Sequence, residues 1–313
     1  MDTTSGMRID RRGFMATAAG AAALWTGLQA RAGEDGKAGG DVPPPPQVPL
    51  GKTGITLSRI GQGTGMNGGN RQSNHTRMGI DRFIALVRNS YERGITFFDL
   101  ADLYGTHVYF REALRSMSRD KITILSKLWW RYDGDPKTTP AEFQKKSTRM
   151  ALERFCHEII TDHIDIVLLH CLEEKDWPSH MGAYMEALSE AKQKKQVRAV
   201  GVSCHNLEAL KTAAVTPWVD VILARINPAG DSMDGKPDQV IPVLRQAREN
   251  GKAIIGMKIY GAGSLAGRTE ECMRFAQDLG LLDTMTIGAE KPEQMDETLR
   301  LLAKHPAKRL VGV

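Results

Sequence analysis

From Leu57 onward the chain alternates between short apolar runs and longer stretches in which apolar residues recur every three or four positions. The runs begin near Leu57, Ile95, Ile122, Ile164, Val197, Val219, Ala253 and Thr284. They are nearly continuous in Ile, Val and Leu, which predicts strands buried on both faces, as in a parallel sheet. The stretches between them read as helices. Phe83, Ile84, Val87 and Tyr91 share one helical face, with Asp81 as the expected cap and Gly94 as the stop. Val240, Ile241, Leu244 and Ala247 form a second such face, ended by Gly251. Ahead of the first run, Val48 to Ile55 places turn residues between apolar ones and predicts a β-hairpin.

Eight strand–helix units in one α/β domain predict a (β/α)8 TIM barrel with an N-terminal β-hairpin, spanning residues 48–313. The competing architecture is a doubly wound sheet, which would carry a G-x-G-x-x-G turn between its first strand and a helix. Here the first run ends Gly61-Gln62-Gly63-Thr64-Gly65-Met66, and a long loop separates it from the helix near Asp81. The barrel is therefore the expectation.

The start of the chain follows a different pattern. Residues 1–32 carry a basic opening (Arg8, Arg11, Arg12), a charge-free Ala-rich run from Gly13 to Gln29, and Ala30-Arg31-Ala32 at the position of a cleavage site. The run is short of the ~20 apolar residues a spanning helix needs. Asp10-Arg11-Arg12-Gly13-Phe14-Met15 resembles a twin-arginine signal peptide. This implies the twin-arginine export machinery as a partner, a periplasmic or otherwise exported location, and no stable membrane insertion once the signal is cleaved. A retained anchor is the rival reading. Residues 33–47, with four consecutive prolines from Pro43, read as a Pro/Gly-rich linker.

Composition narrows the classes further. The 313 residues are 41% hydrophobic and 25% charged, ordinary for a globular protein, with a net charge of +5. Loss of residues 1–32 leaves +3, and the basic residues are scattered, so no nucleic-acid footprint is present. Four cysteines with no C-x-x-C spacing offer neither a disulfide scaffold nor a zinc knuckle.

In a (β/α)8 barrel the chemistry gathers at the C-terminal ends of the strands. The second, third and fourth runs end in Asp99, Lys127 and His170, and Tyr104 follows Asp99 in the loop. Each alone reads as a cap, a surface charge or a core histidine; four together at one rim predict a site. Lys127 is expected to draw down the pKa of the Tyr104 phenol, with Asp99 holding the lysine charged. His170 can orient a carbonyl oxygen while Tyr104 gives it a proton. Such chemistry needs a hydride that no side chain supplies, hence a nicotinamide cofactor.

Asp99-Leu-Ala-Asp-Leu-Tyr104-Gly105, Ser126-Lys127 and Leu168-Leu169-His170 resemble the aldo/keto reductase family, whose D-x-A-x-x-Y-G motif, lysine and histidine stand in this order. The resemblance extends from about Leu50 to Ala303. It implies a (β/α)8 barrel, catalytic Asp99, Tyr104, Lys127 and His170, and NADP or NAD as cofactor. It places Gly63 and Thr64 in the first-strand loop, Ser203 at the nicotinamide amide, Met257 against the nicotinamide face, Lys258 toward the pyrophosphate and Glu297 at the adenine. Cys204 stands where the family has asparagine, Leu223 where it has glutamine, and Glu290 near its basic pair for the 2′-phosphate. Trp129 and Trp130 are candidates for the wall of a substrate pocket, with barrel packing as the alternative. No metal site is expected, although His170-Cys171 and Cys204-His205 end neighbouring strands and offer soft ligands.

The expected function is reduction of an aldehyde, ketone or sugar-like carbonyl on a small-molecule substrate. The alternative is a reductase-like barrel without tight cofactor binding, serving as a carbohydrate- or partner-binding module.

Overall fold

The computed structural model describes residues 42–308; the expected signal peptide and residues 33–41 of the expected linker lie outside them. Val42 packs on the outer core, Pro45 is buried, and Gln47 already belongs to a strand. Two short strands, β1 (Gln47–Pro49) and β2 (Thr56–Ser58), pair antiparallel as the hairpin. Leu57 belongs to this hairpin and not to the barrel, because Val48 opposite it sets the register. The barrel begins at Ile60.

Eight strands then close into a parallel barrel. They are β3 (Ile60–Gly63), β4 (Phe97–Asp99), β5 (Thr123–Leu128), β6 (Ile164–Leu172), β7 (Val197–Cys204), β8 (Val221–Arg225), β9 (Ala253–Met257) and β10 (Thr284–Ile287), with β10 pairing β3. One outer helix follows each strand: α1 (Ile80–Glu92), α2 (His107–Leu114), α3 (Ala141–Ile159), α4 (Gly182–Gln193), α5 (Leu207–Val215), α6 (Pro237–Glu249), α7 (Thr269–Asp278) and α8 (Pro292–Lys304). At α1 the cap is Gly79, and Asp81 sits inside the first turn, where its charge meets the positive end of the helix dipole.

Strand alternation divides the apolar residues into two cores. Phe97, Leu125, Ile166, Leu168, Leu223 and Ile255 fill the barrel interior, and Leu50, Ile55 and Leu57 of the hairpin join them, sealing the bottom. Phe98, Ile124, Leu169, Val202, Ile222 and Met285 point outward into the helix layer. The inner faces of β4, β5, β6, β7, β8 and β9 therefore end at the top in Asp99, Lys127, His170, Ser203, Arg225 and Met257. Sequence alternation alone thus builds a ring of side chains over a sealed apolar core. Among the described residues no helix is long and apolar enough to cross a membrane.

The tightest point of the barrel is Gly201 of β7. A Cβ there would stand 1.9 Å from the carbonyl oxygen of Val221 on β8, and backbone cannot move aside as a side chain can. Gly201→Ala is expected to destabilise the fold by about 3 kcal/mol or to prevent folding. Urea denaturation checks this; an unchanged midpoint would contradict the close β7–β8 approach.

Candidate active site

The ammonium of Lys127 is fully buried at the end of β5. It donates to Asp99 Oδ1, to the carbonyl oxygen of Leu100 at 2.9 Å and to the hydroxyl oxygen of Tyr104 at 3.3 Å. A lysine has three N–H donors, so all are used. Asp99 is delivered by β4, whose register places it beside Leu125 of β5. Tyr104 sits in the short turn Asp102–Tyr104, and Gly65 and Gly68 lie flat against its ring. A Cβ on either glycine would come within 2.5 Å of that ring. The ring of His170 stands edge-on to Tyr104, with centroids 5.7 Å apart.

These contacts set the protonation states. Burial raises the Tyr104 pKa above its ordinary value, and the Lys127 charge only partly opposes it. The expected lowering of the phenol is thus overturned by desolvation, and Tyr104 keeps its proton. Burial also works against the Lys127 charge, but Asp99 and Tyr104 outweigh it and the pKa is raised. His170 is held well below its ordinary value by burial and by the charges of Lys127 and Arg225, so it is a neutral imidazole. The Tyr104 oxygen accepts from Lys127, which leaves its proton for a further acceptor in the mouth.

A cleft of about 350 Å³ runs from Asp99 and Tyr104 between the loops after β9 and β10 toward α8. Gly63, Met257, Lys258 and Glu297 line it. The Glu297 carboxylate accepts from the Thr269 hydroxyl at 2.7 Å. Glu290 also faces the cleft, and its carboxylate accepts from the Asn74 amide at 2.7 Å, joining the β10 loop to the β3 loop.

Two expected cofactor residues do not line this cleft. Thr64 is fully buried; its hydroxyl donates to the Asp99 carbonyl at 2.9 Å and meets the Thr106 hydroxyl at 3.0 Å. It ties β3 to β4. Ser203 is fully buried, and its hydroxyl oxygen accepts from the Cys171 N–H at 3.0 Å. Cys204 points into the helix layer and Leu223 into the barrel interior, so neither takes up an amide-binding role.

The two tryptophans separate. The Trp129 ring stands edge-on to His170 with centroids 5.4 Å apart, at the mouth. Trp130 is buried; its indole N–H donates to the His170 carbonyl at 2.8 Å, and it walls a second cavity of about 360 Å³ with Arg131 and Trp177. The soft ligands do not converge, because Cys204 faces outward; Cys171 Sγ lies 3.2 Å from His205 Nε2, and all four cysteines are free.

One residue of the ring escaped the sequence reading. Arg225 ends the apolar run Val221-Ile-Leu-Ala-Arg225 on the face of Leu223, beside Met257. A charge closing an apolar strand at the rim was its signal, the same signal that marked Lys127.

A closed (β/α)8 barrel with Asp, Tyr, Lys and His converging at the strand ends defines a class of oxidoreductase-like site. The family model for the aldo/keto reductase family matches residues 59–308, and the chain belongs to that family. It is similar to the NADH-specific methylglyoxal reductase of Escherichia coli, with 24% identity over 64% of this chain and 63% of that protein. It is also similar to the D-threo-aldose 1-dehydrogenase of a Pseudomonas species, with 21% identity over 59% of this chain and 62% of that protein. The chain thus spans about three fifths of the length of these curated relatives. Among solved structures, an aldo-keto reductase from Bacillus halodurans in its holo form superposes with a TM-score of 0.62 at 19% identity, covering 84% of this chain and 92% of that one. A thermostable aldo-keto reductase bound to epalrestat gives 0.64 at 19% identity, covering 85% and 96%.

The neutral state of His170 has a consequence for stability. The unfolded residue takes up a proton below pH 6.5, whereas the folded one stays neutral. The unfolded state therefore binds more protons as pH falls, and stability is lost. His75, lowered by burial, acts in the same sense, and His163, raised by Asp165, in the opposite one. Between pH 6.5 and 5 His170 contributes a loss of up to about 1.4 kcal/mol per pH unit. Denaturation across this range should show a shallower slope for His170→Gln; equal slopes would mean that His170 is not held neutral.

Proposed function

We propose that the chain is an NAD(P)H-dependent oxidoreductase that reduces an aldehyde, ketone or sugar-like carbonyl to an alcohol, with Tyr104 as general acid. The observation that carries this is the complete satisfaction of the Lys127 ammonium by Asp99, Leu100 and Tyr104. It fixes the direction of the Tyr104 hydroxyl and leaves its proton available at the mouth. His170, neutral and beside Tyr104, offers a ring nitrogen to orient the carbonyl oxygen. As negative charge grows on that oxygen, Tyr104 releases its proton to it, and the nearby Lys127 charge favours the phenolate left behind.

The residues fit a nicotinamide dinucleotide along the cleft. A reduced nicotinamide, when bound, supplies the hydride to the carbonyl carbon. Lys258 offers a cation to the phosphates, and Glu297 and Glu290 offer carboxylates farther out. Among the described lining residues Lys258 is the one cation, against Asp99, Glu290 and Glu297. A 2′-phosphate adds two negative charges to that end, so NADH is the better fit. This agrees with the E. coli relative being an NADH-specific reductase.

The amide end is thinner. Ser203 has only its hydroxyl hydrogen to give, and Cys204 and Leu223 give nothing. That observation favours the second reading, a barrel without tight cofactor binding that holds a carbohydrate or a protein partner. Fluorescence titration separates the two. NADH is expected to bind in the micromolar range and NADPH at least tenfold more weakly. Tyr104→Phe should lower carbonyl turnover ~10²-fold or more while NADH still binds. No binding of either cofactor at high micromolar concentration would remove the reductase reading, and turnover retained in Tyr104→Phe would remove Tyr104 from the acid role.

The location proposed for this activity is outside the cytoplasm, reached by folded export, which would let a bound cofactor travel with the protein. Arg11 and Arg12 together changed to Lys should hold the protein in the cytoplasm on cell fractionation; unchanged export would exclude the twin-arginine route.

A further inference from the structure

We propose that the substrate is an oxo acid, a small aldehyde or ketone that carries a carboxylate, and that Arg225 is the residue that holds this carboxylate. The proposal rests on the carbonyl-reductase reading of the same mouth and names its substrate class. Arg225 follows Leu223 on the inward face of β8, so its side chain rises over the ring that contains Lys127 and His170. Its guanidinium has five N–H donors. Among the described residues none of them makes a hydrogen bond, and Nε is buried without a partner. Its one ion-pair partner is Asp234, whose Oδ1 lies 3.6 Å from Nη1, beyond hydrogen-bond reach. Both Asp234 oxygens are likewise buried without hydrogen bonds.

This is the reverse of the situation at Lys127, where each donor is used. The side chain is 16% exposed, so water reaches part of the fork, but the buried Nε is left without an acceptor, which is costly unless one arrives. A planar fork of donors is matched by a carboxylate, which takes two parallel bonds. Asp234, its pKa pushed up to about 6 by burial, lies near Nη1 alone and leaves Nε and Nη2 of the fork without an acceptor among the described residues.

The surrounding charges agree. Lys258 has no acidic partner within ion-pair distance among the described residues, and it is held in the left-handed region at φ +58°. The histidines of the mouth do not offset or add charge, since burial and the neighbouring cations hold both His170 and His205 neutral. The charge of Arg225 helps lower the pKa of His170, His205 and Lys258, in keeping with its place on the inward face of β8 opposite Met257. A cofactor phosphate is the other anion to consider. Lys258 lines the cofactor cleft, but Arg225 does not. Arg225 is therefore left to the substrate.

The test uses a matched four-carbon pair, succinic semialdehyde and butanal, which differ in the carboxylate. With NADH, wild-type kcat/KM is expected to favour succinic semialdehyde by at least thirtyfold. Arg225→Met should bring that ratio down toward one, and Arg225→Lys should restore part of it. Equal kcat/KM for the two substrates in the wild type, or a ratio unchanged in Arg225→Met, would overturn the proposal. A second arm needs no turnover. Succinate is titrated against the full chain by calorimetry without cofactor, and saturable binding weakened at least tenfold in Arg225→Met supports the carboxylate site. Absence of saturable succinate binding in the wild type overturns it. If neither aldehyde is reduced but succinate binds through Arg225, the reductase reading fails while the carboxylate site stands.

Discussion

A buried ammonium is the constraint on which the site depends. Taking a charge out of water costs several kcal/mol, and the cost is offset only when every donor finds a partner. Lys127 finds all of its partners on β4 and the loop that leaves it. The β4–β5 register is therefore tied to the chemistry. A slip of one residue would turn Asp99 and Lys127 to opposite faces and leave both charges unpaired. The same contact keeps the Tyr104 oxygen engaged as an acceptor, so the geometry that makes the fold affordable is also the one that aims the proton.

The turn that carries Tyr104 is braced from outside. Asp102, buried in that turn, accepts two bonds from the Arg154 guanidinium on α3, at 2.9 and 2.8 Å. Arg154 also reaches Glu158, and Glu158 bonds to His107, whose second ring nitrogen meets the Ser126 hydroxyl at 2.9 Å. Although burial opposes its charge, Glu158 is drawn down to about 2 by His107 and Arg154, so the brace stays charged across the working pH range. Ser126 precedes Lys127, so a closed path of polar contacts runs from the tyrosine turn through α3 and α2 back to β5. The loops after β9 and β10 are held by separate contacts: Asn227 donates to the Lys258 carbonyl at 3.1 Å, Ser264 to Asp231 at 2.7 Å, and Gln62 to the Ala289 carbonyl at 3.0 Å. Across the cleft the Thr269 hydroxyl donates to Glu297 at 2.7 Å, the Tyr260 and Thr298 hydroxyls meet at 3.2 Å, and Asn74 donates to Glu290 at 2.7 Å.

Much of this was legible in the chain. The eight apolar runs, their order and the four strand-end groups follow from period and position, because a parallel sheet leaves an uninterrupted apolar signal and then an abrupt polar residue. What failed were positions where two physical demands compete. Leu57 looked like the start of a barrel strand because hairpin and barrel share one interior core. Thr64 and Ser203 lie off the cleft with their hydroxyl oxygens engaged by neighbours, because a hydroxyl in a loop motif says nothing about which groups claim it. The Tyr104 pKa was misjudged because a neighbouring charge is visible in sequence and the extent of desolvation is not. Arg225 was overlooked although the strand-end rule that found Lys127 and His170 applies to it equally.

Lys127 and Arg225 show two ways in which one ring of side chains holds a charge. Both are cations at the top of the interior core, both are backed by an aspartate, and both stand over apolar layers that exclude water. Lys127 is closed on itself: its donors are consumed by Asp99, Leu100 and Tyr104. Arg225 is open, since its donors and the oxygens of Asp234 are left unmade by the fold. Keeping such groups unsatisfied costs stability, and the sealed hairpin end and doubly packed strands of this barrel supply the margin that lets the rim bear it. A barrel whose bottom carries the stability can thus keep unpaired groups at its top, and the difference between a used donor and an unused one is the ground for assigning Lys127 to the proposed acid–base chemistry and Arg225 to the proposed substrate recognition.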